Sequence, residues 1–504
     1  MPISDIGLEA EFTFERDPGM AIDEPPFRIL MLGDWSGDTA NGPVSGRKPI
    51  EIDRDNFDET LTRLKTSVKL DFDDGLLLTL EFASLDDFHP DEIFRRVPLF
   101  SELRSLRRRL SDPSAYDSAS LEARQMFGIT LEPAVGTQDA ATPENAGDNL
   151  LDAILAQPSG GAAAPKRGVS GELGGLVKEL VRSHLISVDE DEQASLISAV
   201  DAATSQLMRR ILHHRRFQEL EAAWRGLFFQ VRRSDTSSDL KIYLLDISKE
   251  EIANELKSAE DLSATLLYKV LIRDAVETPG GEPWAFVGGN YAFSPVVDDV
   301  AALMRISRIC AAAGAPFVAH MRPDVLGVHS LDEHSDPSEW STAADSNEAK
   351  LWAALRGQAE SQYLGMTIPR FICRLPYGAD TDPLENFEFE EFEGEPFHDG
   401  YCWANACFVS AMLHAQSYTA FGRGEMGQRL QQDVDGLPVH MYKSNGETIY
   451  KPCAEIQMTD KGVNKLMEFG LTPLVSYRAM DKIKIARHQS IADPVTALRG
   501  RWNS

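Results

Sequence analysis

Between residues 216 and 248 the apolar positions change period once. Phe217, Leu220, Trp224, Leu227 and Phe228 recur at helical spacing, and after a polar turn Ile242, Leu244 and Ile247 follow in a β-type run. The pattern predicts a helix whose apolar face ends at Trp224-Arg225-Gly226, then a buried strand. These three residues, with Glu282, are assigned to the structural core. The stretch holds no obvious nucleophile, metal cluster or phosphate cradle, so it is a packing unit.

The same reading along the chain gives three blocks. In residues 1–130, LEAEFTFE (8–15) alternates as an edge strand and FRILMLGDWSG (27–37) holds a buried strand from Ile29 to Leu32. A helix is expected at 56–64, a strand at 76–82, and two helical segments separated by Pro98 within 84–110, with Ser84 as the first N-cap. Residues 131–170 have the Gly, Ala and Pro content of a linker, interrupted by a short helix around 149–155. From 171 to 504, a helical region at 173–185 and helices at 196–214, 247–256, 265–276 and 297–315 are interleaved with strands at 283–293 and 316–321. Interleaved strands and helices predict a mixed α/β (α+β) fold with sheets flanked by helices.

At 504 residues the chain exceeds what one core supports. A net charge of −29 disfavours nucleic acid and anionic lipid, whose binding depends on Lys and Arg. No run reaches the ~18 apolar residues of a membrane span, and the first residues show no secretory signal, so a cytoplasmic location is expected. The five cysteines form no CxxC pair, and reduced thiols without metal or cofactor are expected. For Cys402 and Cys407, in YCWANACF, the expectation is an apolar helix.

Candidate chemistry is sparse. TPGGEPWAFVGG (278–289) lacks the lysine and hydroxyl of a phosphate loop and predicts a tight turn, with Glu282 bonding its amides. His213-His214-Arg215-Arg216 suits a helix C-terminus, where cations offset exposed carbonyls. Residues 380–399 carry nine acids interleaved with Phe387, Phe389, Phe392 and Phe397. The expectation is an extended segment with Phe inward and acids outward, and Phe389 and Phe392 are candidate interface positions. The mildly basic end, with Arg499 and Arg501, is the complementary candidate. An enzyme with a pocket near Glu282, Arg374 and the acidic run is the competing reading, with no catalytic residue to name.

Several motifs together resemble the sheath subunits of the bacterial type VI secretion apparatus. FQELEAAWRGL (217–227), LKIYLLDISKEEI (240–252), TPGGEPWAFVGGNYAF (278–293), AAGAPFVAH (312–320), YLGMTIPRFICRLPYG (363–378), WANACF (403–408) and GLPVHMY (436–442) resemble the large subunit. RILMLGDWSG (28–37), GRKPIEIDRDNFDETL (46–61) and SLDDFHPDEIFRRVPLFSELRSLRRRL (84–110) resemble the small one. The resemblance implies two normally separate partners fused through 131–170, in a contractile tube whose protomers exchange terminal strands. It assigns Glu11, Phe12, Thr13 and Phe14 to the linking strand. It also implies other sheath subunits, itself, or inner-tube and baseplate proteins as partners. Large subunits of the family continue beyond the region matching 487–502, so part of the exchanged sheet is expected to be missing. An accessory, cap or baseplate adaptor therefore competes with a sheath protomer.

Overall fold

The strand Phe27–Gly33 has every side chain but Arg28 fully buried, which requires a neighbour on each edge and cover on both faces. In the computed structural model, which describes residues 24–39, 42–127, 192–343 and 345–502, it has all four. It lies inside a nine-stranded sheet, between Leu240–Asp246 and Trp284–Phe293, parallel to both. Beyond Trp284–Phe293 the sheet continues in parallel through Phe317–Met321, Leu364–Ile368 and Thr472–Ser476. Antiparallel strands finish it: Ile50–Ile52 on one side, Ile483–Ile485 and then Asp433–Val434 on the other.

Period-two alternation divides the two faces. Leu30 and Leu32 join the cluster built around the helix Val297–Ala313 and the helices Lys249–Ser258 and Asn347–Arg356. The opposite face takes the helix Cys407–Met426, where the His414 ring packs at a tilt on Phe286. Ser248 and Glu251 form a capping box on Lys249–Ser258, and Gly314 ends Val297–Ala313 in the left-handed conformation. The helix expected at 265–276 widens after one α-turn into a π-helix, Lys269–Glu277, whose Val270 carbonyl accepts the Trp284 indole N–H at 2.9 Å.

This sheet and its helices make one compact unit, from the described residues of Met1–Leu64, Ala222–Arg374 and Cys402–Ser504. A second draws on Lys65–Glu221 and Leu375–Tyr401. It holds the hairpin Ser67–Asp71/Leu77–Glu81 and the helices Pro90–Arg96, Pro98–Ser111, Tyr116–Phe127 and Glu192–Leu212. Both Pro90 and Pro98 open helices at the first position, where a missing N–H costs nothing. Ser84 caps the short turn Leu85–Phe88, with Asp87 returning the bond.

Compact units and sequence blocks are different partitions. Besides the strand Ile50–Ile52, which pairs elsewhere, the first block's remaining described strands form their own hairpin, so Phe27–Gly33 finds both neighbours in the third block. The strand expected at 8–15, the linker of 131–170 with its helix, and the helical region of 173–185 lie outside the described residues. One local expectation is corrected. YCWANACF is not a continuous helix: Trp403–Ala404 pairs with Phe371–Ile372, and the helix starts at Cys407.

Candidate assembly core

Trp224 sits on the helix Arg215–Arg232, fully buried, with its indole N–H donating to the Trp35 carbonyl at 3.0 Å. Trp35 and Phe57 both meet it edge-on at 5.6 Å. At Gly226 a Cβ would come within 2.5 Å of the Phe408 ring, so the glycine lets helices Arg215–Arg232 and Cys407–Met426 approach closely. Arg225 between them is half-buried. At the other end of the same helix Phe217 packs on Phe82 and Phe88 in the second unit.

Trp35 also introduces a lock that motif reading missed. The amides of Trp35 and Ser36 donate to Asp246 Oδ1 at 2.8 and 3.1 Å, and the Ser36 hydroxyl donates to Oδ2 at 2.8 Å. Asp246 is buried, and its charge is met by these fixed donors. Thus GDWSG, after one strand, closes on the last residue of LKIYLLD, its neighbour.

The same pairing recurs along the sheet. Arg47 donates to the Asp246 carbonyl and forks onto Glu251 at 2.6 and 2.8 Å. Burial opposes charge on both partners, but the fork outweighs it and holds Glu251 below, and Arg47 above, their ordinary values. Tyr243 donates to Glu51 at 2.9 Å; burial, then this bond, pushes the phenol up to about 12. Arg28 lies over Trp284 at 3.8 Å and Tyr243 at 4.8 Å. It also donates to the Glu282 carbonyl, with the Glu282 carboxylate 3.7 Å away. Glu282 therefore faces Arg28. Each of these contacts joins a small-subunit-like motif to a large-subunit-like one.

The remaining candidates fall into separate places. Glu282 and Arg374 belong to the first unit and the acidic run to the second. In that run Phe389 is buried, Phe387 stacks on Phe94 at 4.4 Å and Phe392 lies against His213 and Tyr401. The acids face outward, except Glu391, which is buried and accepts the Tyr377 amide at 2.8 Å. Phe389 and Phe392 are thus occupied within the unit, leaving half-exposed Phe397 and the carboxylates as its outer face. Arg501 donates to the Ala313 carbonyl at 2.7 Å, whereas Arg499 is exposed beside Tyr363. Glu11, Phe12, Thr13 and Phe14 lie outside the described residues. A shallow groove of about 730 Å³ follows the edge strand Ile50–Ile52, lined by Lys48, Glu51, Asn56 and Arg63 among others. Among the described residues no group of three or more His, Cys, Asp or Glu side chains is placed to hold a metal ion, and no helix is long and apolar enough to cross a membrane.

Comparison with known proteins divides the chain as its motifs do. Residues 194–492 match the family described as EvpB/VC_A0108, tail sheath N-terminal domain. Residues 10–134 match that described as type VI secretion system, VipA, VC_A0107 or Hcp2. The chain is 34% identical over 321 residues to the type VI secretion system sheath protein TssC1 of Pseudomonas aeruginosa, across 62% of this chain and 64% of that protein. It is 30% identical over 128 residues to TssB1 of the same organism, across 24% of this chain and 74% of that protein. It therefore spans just under two thirds of the length of TssC1.

Proposed function

Because this chain belongs to the type VI secretion sheath family and carries both its small and its large type, we propose that it is a non-enzymatic sheath component. In this reading the heterodimer of the sheath is replaced by a single polypeptide. The observation that carries the reading is the place of Phe27–Gly33. A strand from the VipA-like segment lies between two strands of the VipB-like segment. Partners that must share one sheet gain effective concentration when tethered, with no new contact.

The partners we propose are further sheath subunits or other copies of this chain, with inner-tube or baseplate proteins as neighbours. Sheet edges are the natural contact, since backbone groups there add strands without specific side chains. The edge at Ile50–Ile52 with its groove, and the linking strand expected at 8–15, are the proposed sites. A protomer of the tube and a cap or adaptor share this chemistry.

Two measurements test the proposal. Electron microscopy and sedimentation of the purified chain, alone and with separate sheath subunits, should show it entering or capping tubes. A chain that joins no sheath assembly, and whose deletion leaves secretion intact, overturns the reading. Separately, the chain divided within 131–170 and co-expressed should yield two pieces that co-purify one to one. A first piece that folds alone as a monomer would contradict the shared sheet.

A further inference from the structure

The chain leaves the first unit after Arg374 and returns to it at Cys402. At that exit and return lie the short strands Phe371–Ile372 and Trp403–Ala404, paired antiparallel with Ile372 opposite Trp403. One step along the ladder, Cys373 stands opposite Cys402. The Cys373 amide donates to the Cys402 carbonyl at 3.1 Å and its thiol to the same oxygen at 3.2 Å. The two Sγ atoms are 3.2 Å apart, and neither cysteine is in a disulfide. Directly opposed residues of an antiparallel pair have Cα atoms about 4.5–5.5 Å apart, inside the roughly 4.4–6.8 Å that a disulfide spans. The bond can form without moving the backbone.

Exposure distinguishes this pair from the rest. Cys373 is half-buried and so open to a small oxidant, with Cys402 buried behind it. Cys310, Cys407 and Cys453 are buried, and burial pushes all three thiols up, Cys453 to about 11. They are poor nucleophiles.

We propose that Cys373 and Cys402 are a redox-responsive pair that closes to a disulfide under peroxide. The Cys373 thiolate attacks one peroxide oxygen and the O–O bond breaks. Hydroxide leaves, taking up the thiol's proton as water, and Cys373 becomes a sulfenic acid. The Cys402 sulfur then attacks the Cys373 sulfur; the S–S bond forms and the hydroxyl departs as a second water with the Cys402 proton. Two thiols lose two electrons in all, and one hydrogen peroxide becomes two waters. The product ties both ends of 374–401 together, so the segment with the outward acids and inward Phe387, Phe389 and Phe392 becomes a covalently closed loop.

The test is hydrogen peroxide treatment of the purified full-length chain, then thiol counting in denaturant and peptide mapping without reduction. The expected result is a fall from the five thiols of the sequence to three. The Cys373 and Cys402 peptides should be joined, together two hydrogens lighter, and separated again by dithiothreitol. Cys453→Ser should keep the link, while Cys373→Ser and Cys402→Ser should each lose it. Five thiols remaining, Cys373 advancing to an unlinked sulfinic acid, or links to other cysteines or a second chain would each overturn the proposal. The wild-type map decides even if a serine variant fails to fold.

Discussion

Trp224 shows how one side chain sets the cost of a substitution. It fills a site between Trp35 and Phe57 and satisfies the Trp35 carbonyl. Trp224→Ala should lose about 3–5 kcal/mol of stability, whereas Trp224→Phe should lose about 1–3, chiefly from the lost hydrogen bond to the Trp35 carbonyl. Urea unfolding separates the two. Gly226→Ala should cost about 1–3 kcal/mol in the same assay, because the added Cβ would lie 2.5 Å from the buried Phe408 ring and something must shift. Three of the buried histidines bear on the response to acid. Burial is the first cause in each case, depressing His320 and His488 to about 4 and His414 to about 3 from 6.5. The unfolded chain therefore binds protons that the folded one refuses. Stability should be full above pH 6.5, fall as pH drops towards 4, and level off below the folded values. The slope is roughly 1.4 kcal/mol per pH unit for each histidine. A melting temperature that stays flat between pH 7 and 5 would contradict this.

At the scale of elements, the strand Trp284–Phe293 and the turn before Cys407–Met426 explain each other. The strand's register against Phe317–Met321 shifts between Gly288 and Ala292, leaving the ladder broken there. Asn405 Nδ2 donates to the Gly289 and Tyr291 carbonyls at 3.3 and 3.0 Å, while its Oδ1 accepts the Cys407 amide at 2.9 Å. Asn405→Ala should cost about 1–3 kcal/mol by leaving buried carbonyls unpaired. Asn405→Asp should cost at least as much, since a carboxylate cannot donate to them; a neutral outcome for Asp in thermal unfolding would sink this account. Long periodic elements such as Phe27–Gly33, Arg215–Arg232 and Val297–Ala313 were legible in the sequence, because apolar spacing reports burial directly. Shorter ones were not. WANA looked helical because Ala is the strongest helix former, and its strand depends on a partner at Phe371–Ile372 that is remote in sequence. The glycines at 288–289 lie inside the strand expected at 283–293, but their purpose was not legible: Met31 and Phe317 occupy the space a Cβ would need.

For the whole molecule, the family was legible in the order of the motifs, but the way the parts interlock was not. Asp246 with Trp35 and Ser36, Arg47 with Glu251, and Glu51 with Tyr243 join residues roughly 200 positions apart. Nothing local to either motif indicates its mate. Arg47→Ala should weaken the chain more than loss of the exposed Lys257–Asp298 pair does, because the Glu251 carboxylate and the Asp246 carbonyl both lose a part-buried donor. Matched urea midpoints for the two variants would refute that ranking. The position of Phe27–Gly33 has a last consequence, in time rather than in space. During synthesis this apolar strand emerges early, while Leu240–Asp246 and Trp284–Phe293 are still to be made. At ~5–20 residues per second it waits on the order of ten seconds or more for either edge to be met. Until then it is an unpaired β-segment in an unfinished chain, exposed to aggregation and in need of a chaperone or a temporary cover.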